Sequence, residues 1–174
     1  EPDRFLAHLA GLVRPGGALV VAIENRFGLA YWLQADEDHL GLPFVGLEGY
    51  PPVAATGATA TVRTFSRPEL AGHLTVAGLT AQRWYQPFPD YKLPTTVLTD
   101  RCYDQPDAID LDDQLVGPPI DRSRMGGRVS ADERAIHRQV IGAGHGADMA
   151  NSFLVVAATD DTALDRRSDG DALA

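Results

Sequence analysis

A few short stretches of this chain carry side chains whose types and spacing could do chemistry. Glu24 and Asn25 adjoin at the end of an apolar run, where a carboxylate and an amide can bind a ligand or, equally, cap and turn the backbone. His39 follows three carboxylates in Asp36-Glu37-Asp38-His39, a cluster that reads as a metal site, a general base or a solvated acidic turn. Nothing at ligand spacing accompanies it, so no metal is expected. Histidine is the side-chain type that exchanges a proton near neutral pH, which makes His39 the candidate base. Asp90, Tyr91 and Lys92 lie together in the proline-stiffened segment Pro87-Phe88-Pro89-Asp90-Tyr91-Lys92-Leu93-Pro94, and Tyr31 and Trp32 offer ring faces able to shield a cation or to pack as a lid.

The elements that must position these groups are organised around residues 12–25. Residues 18–23 form a short unbroken apolar run with Val20, Val21 and Ile23, expected to be a central parallel strand covered on both faces. Pro15-Gly16-Gly17 ends a preceding helix whose apolar stripe is Phe5, Leu6, Leu9, Leu12 and Val13. Glu24 and Asn25 then fall at the strand's carboxyl end, outside which ligands sit in open α/β sheets. Residues 26–35 read as a short helix over the strand ends, weakened by Gly28. Residues 36–52, rich in Gly and Pro, read as an ordered loop, and residues 54–60 as a flexible surface loop.

Residues 66–78 are the best-marked helix. Ser66 and Glu69 spell a capping box, Phe65 and Leu70 a staple, and Gly78 a stop. Residues 80–86 alternate like a strand and residues 152–158, SFLVVAA, read as a second buried strand. Between them, residues 100–129 read as an irregular insertion, and residues 130–142 as a helix with a capping box at Ser130 and Glu133. Asn151 is expected to hold a turn through its amide. The segment after Thr159, dominated by Asp, Arg and Ser, reads as a frayed acidic tail over residues 160–174.

Composition narrows the partners. The net charge of −9, from 24 acidic and 15 basic residues without a Lys/Arg block, argues against nucleic acid or an anionic membrane surface. Cys102 is the single cysteine, which excludes an internal disulfide and a multi-cysteine zinc site and makes a reducing cytoplasm the default location. No apolar run approaches the ~20 residues of a membrane span. The first residue is Glu1 rather than Met, which leaves room for an upstream segment, a signal peptide included.

The order helix, PGG turn, buried strand tipped by Glu-Asn, capped helix, strand, long excursion, strand resembles the C-terminal half of a class I S-adenosylmethionine-dependent methyltransferase. IENRFGLAYW, ADEDHLG, FVGLEGY, RTFSRPEL, PFPDYKLPT and ANSFLVV together are similar to a bacterial subgroup of these enzymes associated with glycosyltransferases and surface-polysaccharide assembly, over residues 5–159. The resemblance implies an α/β, Rossmann-like sheet. In it residues 18–23, 80–86 and 152–158 are strands five, six and seven with flanking helices, the seventh antiparallel and between the other two, after a long insertion. It implies S-adenosyl-L-methionine as cofactor and a small-molecule or glycan acceptor. The glycine-rich loop and the ribose- and adenine-contacting residues of the family would lie upstream of Glu1, so cofactor-binding residues are not assigned in this chain. On this reading the chain is a substrate-side half that needs a missing N-terminal half or a fused domain and is inactive alone. His39 is the base beside Glu24 and Asn25, and Tyr31, Trp32, Asp90, Tyr91 and Lys92 contact the substrate. Glu24, Asn25, His39 and Tyr91 are expected to converge on one rim of the sheet. The alternative is a non-catalytic α/β remnant serving as an interaction or scaffold module.

Overall fold

The computed structural model describes residues 2–51, 63–104 and 131–168. In chain order the elements are α1 (Pro2–Leu12), β1 (Leu19–Glu24), α2 (Leu29–Trp32), α3 (Arg67–Val76), β2 (Ala81–Phe88), β3 (Thr96–Thr99), α4 (Asp100–Asp104), α5 (Glu133–Gly142), β4 (Ser152–Ala158) and α6 (Asp161–Ser168). The strands make one mixed-connection sheet in the order β1-β4-β2-β3, with every pairing antiparallel. The last strand therefore lies between β1 and β2 and runs against both, in register Val21 to Val155 on one side and Trp84 to Val155 on the other.

The central strand is also the most apolar one. On one face of β4, Phe153, Val155 and Ala157 are fully buried against Leu70, Leu74 and Leu79 from α3 and its exit and Leu6 from α1, and Phe153 meets the Trp84 ring edge-on at 5.3 Å. Burying side chains of this size supplies the main driving force for docking the two helices on the sheet. The other face is covered by α6, whose Ala163 and Leu164 pack on Ala81 and Ala158. A third cluster joins Phe88 and Leu98 of the β2–β3 hairpin to Ile141 of α5 and to Ala150.

Local chemistry places the helix ends. At the capping box Ser66 donates from both its backbone N and its Oγ to Glu69 Oε2, each at 2.8 Å, and Glu69 also receives Arg26 at 2.7 Å. Between α1 and β1 the chain turns through Gly16 at φ 71°, and a Cβ at Gly17 would stand 2.8 Å from the Arg14 carbonyl, so this turn needs both glycines.

Several expectations are corrected. Residues 18–23 are not a central parallel strand covered on both faces. The strand pairs only with β4 among the described residues, antiparallel, and its second face is open, with Val20 55% exposed. An unbroken apolar run does not distinguish a doubly covered strand from an edge strand whose second face is apolar but bare. The helix read at residues 26–35 is only the single turn α2, because Gly28 and the residues before it form a turn against Asn151. The strand β3 was not anticipated. Within the segment read as an acidic tail, Asp161–Ser168 form α6, because Ala163 and Leu164 gain a buried apolar site on the sheet, and residues 169–174 lie outside the described residues. The helix α5 is capped by Asp132, whose Oδ1 accepts from Arg134 N and Ala135 N; Ser130 of the expected capping box lies outside the described residues, as do the loop at 54–60 and the insertion beyond Asp104.

Candidate functional site

The carboxyl end of β1 delivers Glu24 to a rim where two loops meet. Lys92, from the loop after β2, donates to Glu24 Oε1 and to Asp38 Oδ2. Asp90 makes this reach possible: its Oδ1 accepts from Lys92 N at 2.7 Å, closing a local turn that sets the direction of the lysine. The Lys92 ammonium also lies 5.3 Å from the centre of the Tyr91 ring. Burial opposes the charge on Lys92, but the hydrogen bonds and charges of Asp38 and Glu24 outweigh it and hold the ammonium well above the ordinary lysine range. Asp38 is the complement: burial pushes its carboxyl up, and the bonds at Lys92 and Glu24 bring it below the usual carboxylate range. Two phenols border the pair. Burial, and then the charge of Glu24, push the hydroxyls of both Tyr31 and Tyr91 above the usual phenol range.

Asn25 takes another path. It is fully buried, its Nδ2 donates to the carbonyls of Asp148 and Ala150 at 2.7 Å each, and its Oδ1 accepts from Phe27 N at 3.0 Å. Both amide protons are thus spent on the approach to β4, and Asn25 is a scaffold residue of the rim. Asn151 does similar work: its Oδ1 accepts from Ala30 N at 2.9 Å and its Nδ2 donates to Pro89 O at 3.4 Å, tying α2, β4 and the β2–β3 loop together. Here Gly28 is required, since a Cβ would lie 2.9 Å from Asn151 Cα.

His39 belongs to a loop built around Glu37. Asp36 and Pro43 bridge its ends, and Gly41 takes φ 63° at its bend. Glu37 is 1% exposed. Its Oε2 accepts from the backbone N of His39 at 3.0 Å and of Leu40 at 2.9 Å; its Oε1 lies 2.8 Å from His39 Nδ1 and accepts from the Tyr50 hydroxyl at 3.3 Å. Tyr50 is braced in turn by Thr64, whose N donates to the phenol oxygen at 2.8 Å and whose Oγ1 lies 2.7 Å from it. The imidazole side chain is 36% exposed, so the carboxylate is inside and the ring faces outward.

The rim therefore gathers Glu24, Asp38, Asp90, Tyr91 and Lys92 with Tyr31 close behind, while His39, next to Asp38 in the chain, hydrogen-bonds to Glu37. Trp32 is 52% exposed. Asp38, Glu37 and Tyr50 were not singled out from the sequence. The first two stood in view inside the acidic cluster around His39, whereas Tyr50 has no local pattern that sets it apart.

Among the described residues no group of three or more His, Cys, Asp or Glu side chains is arranged to hold a metal ion, and no helix is long and apolar enough to cross a membrane. Nor does the tip of β1 fit S-adenosylmethionine. The turn after β1 offers only Gly28, whose open side is filled by Asn151, and the polar atoms of Asn25 are consumed by backbone, so no cradle of free N–H groups stands at this strand end. No family model, curated protein or solved structure matches this chain.

Proposed function

We propose that this chain is the acceptor-side part of an S-adenosylmethionine-dependent methyltransferase acting on a hydroxyl of a small molecule or glycan intermediate, with the cofactor held by residues other than those described. The observation that carries the reading is the insertion of β4, antiparallel, between β1 and β2, with Glu24 at the β1 tip joined to the loops that follow. That is the strand order the motif resemblance implies for the end of such a domain. The chemistry this half supplies is modest: bind the acceptor, orient it and take its proton. Lys92, Asp38, Glu24 and Tyr91 supply charged and phenolic groups that suit a polyhydroxylated acceptor, and His39 supplies the base.

The competing reading, a non-catalytic scaffold module, draws support from how much of the rim is saturated internally: the ammonium of Lys92 is already held by two carboxylates. Titration calorimetry with S-adenosylmethionine separates the two. The 174-residue chain should give no saturable heat, while a chain extended by any coding sequence found upstream of Glu1 should bind in the micromolar range. Micromolar binding by the 174-residue chain would overturn the division of labour, and silence from both would overturn the methyltransferase reading in favour of the scaffold.

A further inference from the structure

Glu37 is a carboxylate with almost no contact with water, and burying such a group is costly unless its oxygens are satisfied. Shaping the loop accounts for only half of its bonds. The two N–H groups at Oε2 form the kind of turn that a short polar side chain makes at lower cost from a more exposed position. The second oxygen, Oε1, is left for two side chains, the imidazole of His39 and the hydroxyl of Tyr50. A carboxylate only accepts hydrogen bonds, so at 2.8 Å the Nδ1 of His39 must be the donor. The neutral ring then carries its proton on Nδ1 and presents Nε2 as a bare lone pair on the partly exposed side of the ring. Tyr50 and Thr64 hold the carboxylate from behind, so neither Glu37 nor the ring orientation it sets is free to drift.

We propose that Glu37 is a positioning residue that locks His39 in the Nδ1–H form, making the Nε2 of His39 a preformed proton acceptor for a substrate hydroxyl. In the step it serves, the O–H bond of the acceptor breaks with its electron pair staying on oxygen. The proton goes to Nε2, and the resulting imidazolium keeps its Nδ1–H on the Glu37 carboxylate, which stabilises the positive charge without itself taking the proton. The inference rests on the reading of His39 as the base and is independent of which group the acceptor oxygen then attacks.

The test uses the whole chain with nitrogen-15 histidine. Long-range proton–nitrogen spectra, recorded at a pH where the imidazoles are neutral, report which ring nitrogen carries the proton. Imidazole free in water favours Nε2–H, so the expected result, Nδ1–H at His39, is the reverse of the default. In Glu37→Gln the amide can donate to Nδ1, and His39 should switch to Nε2–H while the signals of His8, His73, His137 and His145 stay in place. Acylation of His39 by diethylpyrocarbonate, read by mass spectrometry, should be lost with the switch, because an Nε2 that bears a proton is not nucleophilic. A purely loop-shaping Glu37 would leave the tautomer unlocked, so Nε2–H or an average of both forms in the unmodified chain overturns the proposal. That spectrum decides the matter even if the variant fails to fold. A wrong tautomer would leave the calorimetric test of the methyltransferase reading untouched, and the converse also holds.

Discussion

His137 shows how a single buried side chain couples this molecule to pH. It sits on α5 at 5% exposure, edge-on to Phe88 with ring centroids 5.6 Å apart, and its Nε2 has no hydrogen-bond partner among the described residues. Burial alone lowers its pKa from the ordinary 6.5 to about 4. The folded chain thus keeps the ring neutral where the unfolded chain already binds a proton, and stability falls as pH drops from about 6.5 towards 4. The contribution lost over that window is on the order of 2–3 kcal/mol. Replacing the ring by an apolar side chain removes it: His137→Leu should lose less stability than the parent chain between about pH 7 and about pH 4.5, by roughly that amount. Urea unfolding at the two pH values measures the difference, and equal losses in both chains would refute the assignment.

At the scale of an element, α3 depends on its first turn more than on its propensity. Its length of 10 residues is too short to be helical alone, so the cap and the buried Leu70 and Leu74 must hold it. Glu69 is where cap and tertiary structure meet. Burial raises its carboxyl, but the bonds from Ser66 and the charge of Arg26 bring it below the usual range. The stability it contributes is therefore present above the unfolded carboxylate range and is lost as pH falls through its lowered pKa. Ser66→Ala should cost about 1 kcal/mol near neutral pH. Because the serine hydroxyl favours the ionised Glu69, the cost should shrink in acid. Denaturant melts of parent and variant at both pH values test this, and a cost that does not change with pH would detach Ser66 from the carboxylate.

For the whole molecule, the open strand is β1. Its sequence from Leu19 to Ile23 has no charge or proline to blunt the edge that is unpaired among the described residues, and Val20 is exposed on the bare face. Among the described residues, another segment lies along that side only beyond the strand, where Arg26 N donates to Phe65 O at 3.0 Å. Two copies can join by pairing β1 with β1 antiparallel around a two-fold axis, which sets equivalent side chains near each other across the junction. The chain should therefore self-associate as its concentration rises. Val20→Lys, at a site exposed enough to leave stability within about 0.5 kcal/mol, should suppress this through like-charge repulsion. Sedimentation velocity over a concentration series is the measurement, and a parent chain that stays monomeric throughout would show the edge to be protected.

Local pattern determined a good deal about this protein. The strand at residues 152–158 coincides with β4, Ser66 with the cap of α3, and the Pro15-Gly16-Gly17 turn with the end of α1, because each rests on chemistry within a few residues: apolar continuity, capping hydrogen bonds, glycine φ angles. The candidate residues Glu24, His39 and Lys92 were legible by type. Tertiary structure alone decided their roles. Asn25 and Glu24 are neighbours of equal promise in sequence, yet the backbone leading into β4 takes up the amide of one while Lys92 meets the carboxylate of the other. Glu37 looked like one acid among three, and became the residue that orients His39 only because Tyr50 and Thr64 close over it from farther along the chain. Hydrogen-bond saturation and burial are set by segments distant in sequence, and no local pattern encodes which segments will meet.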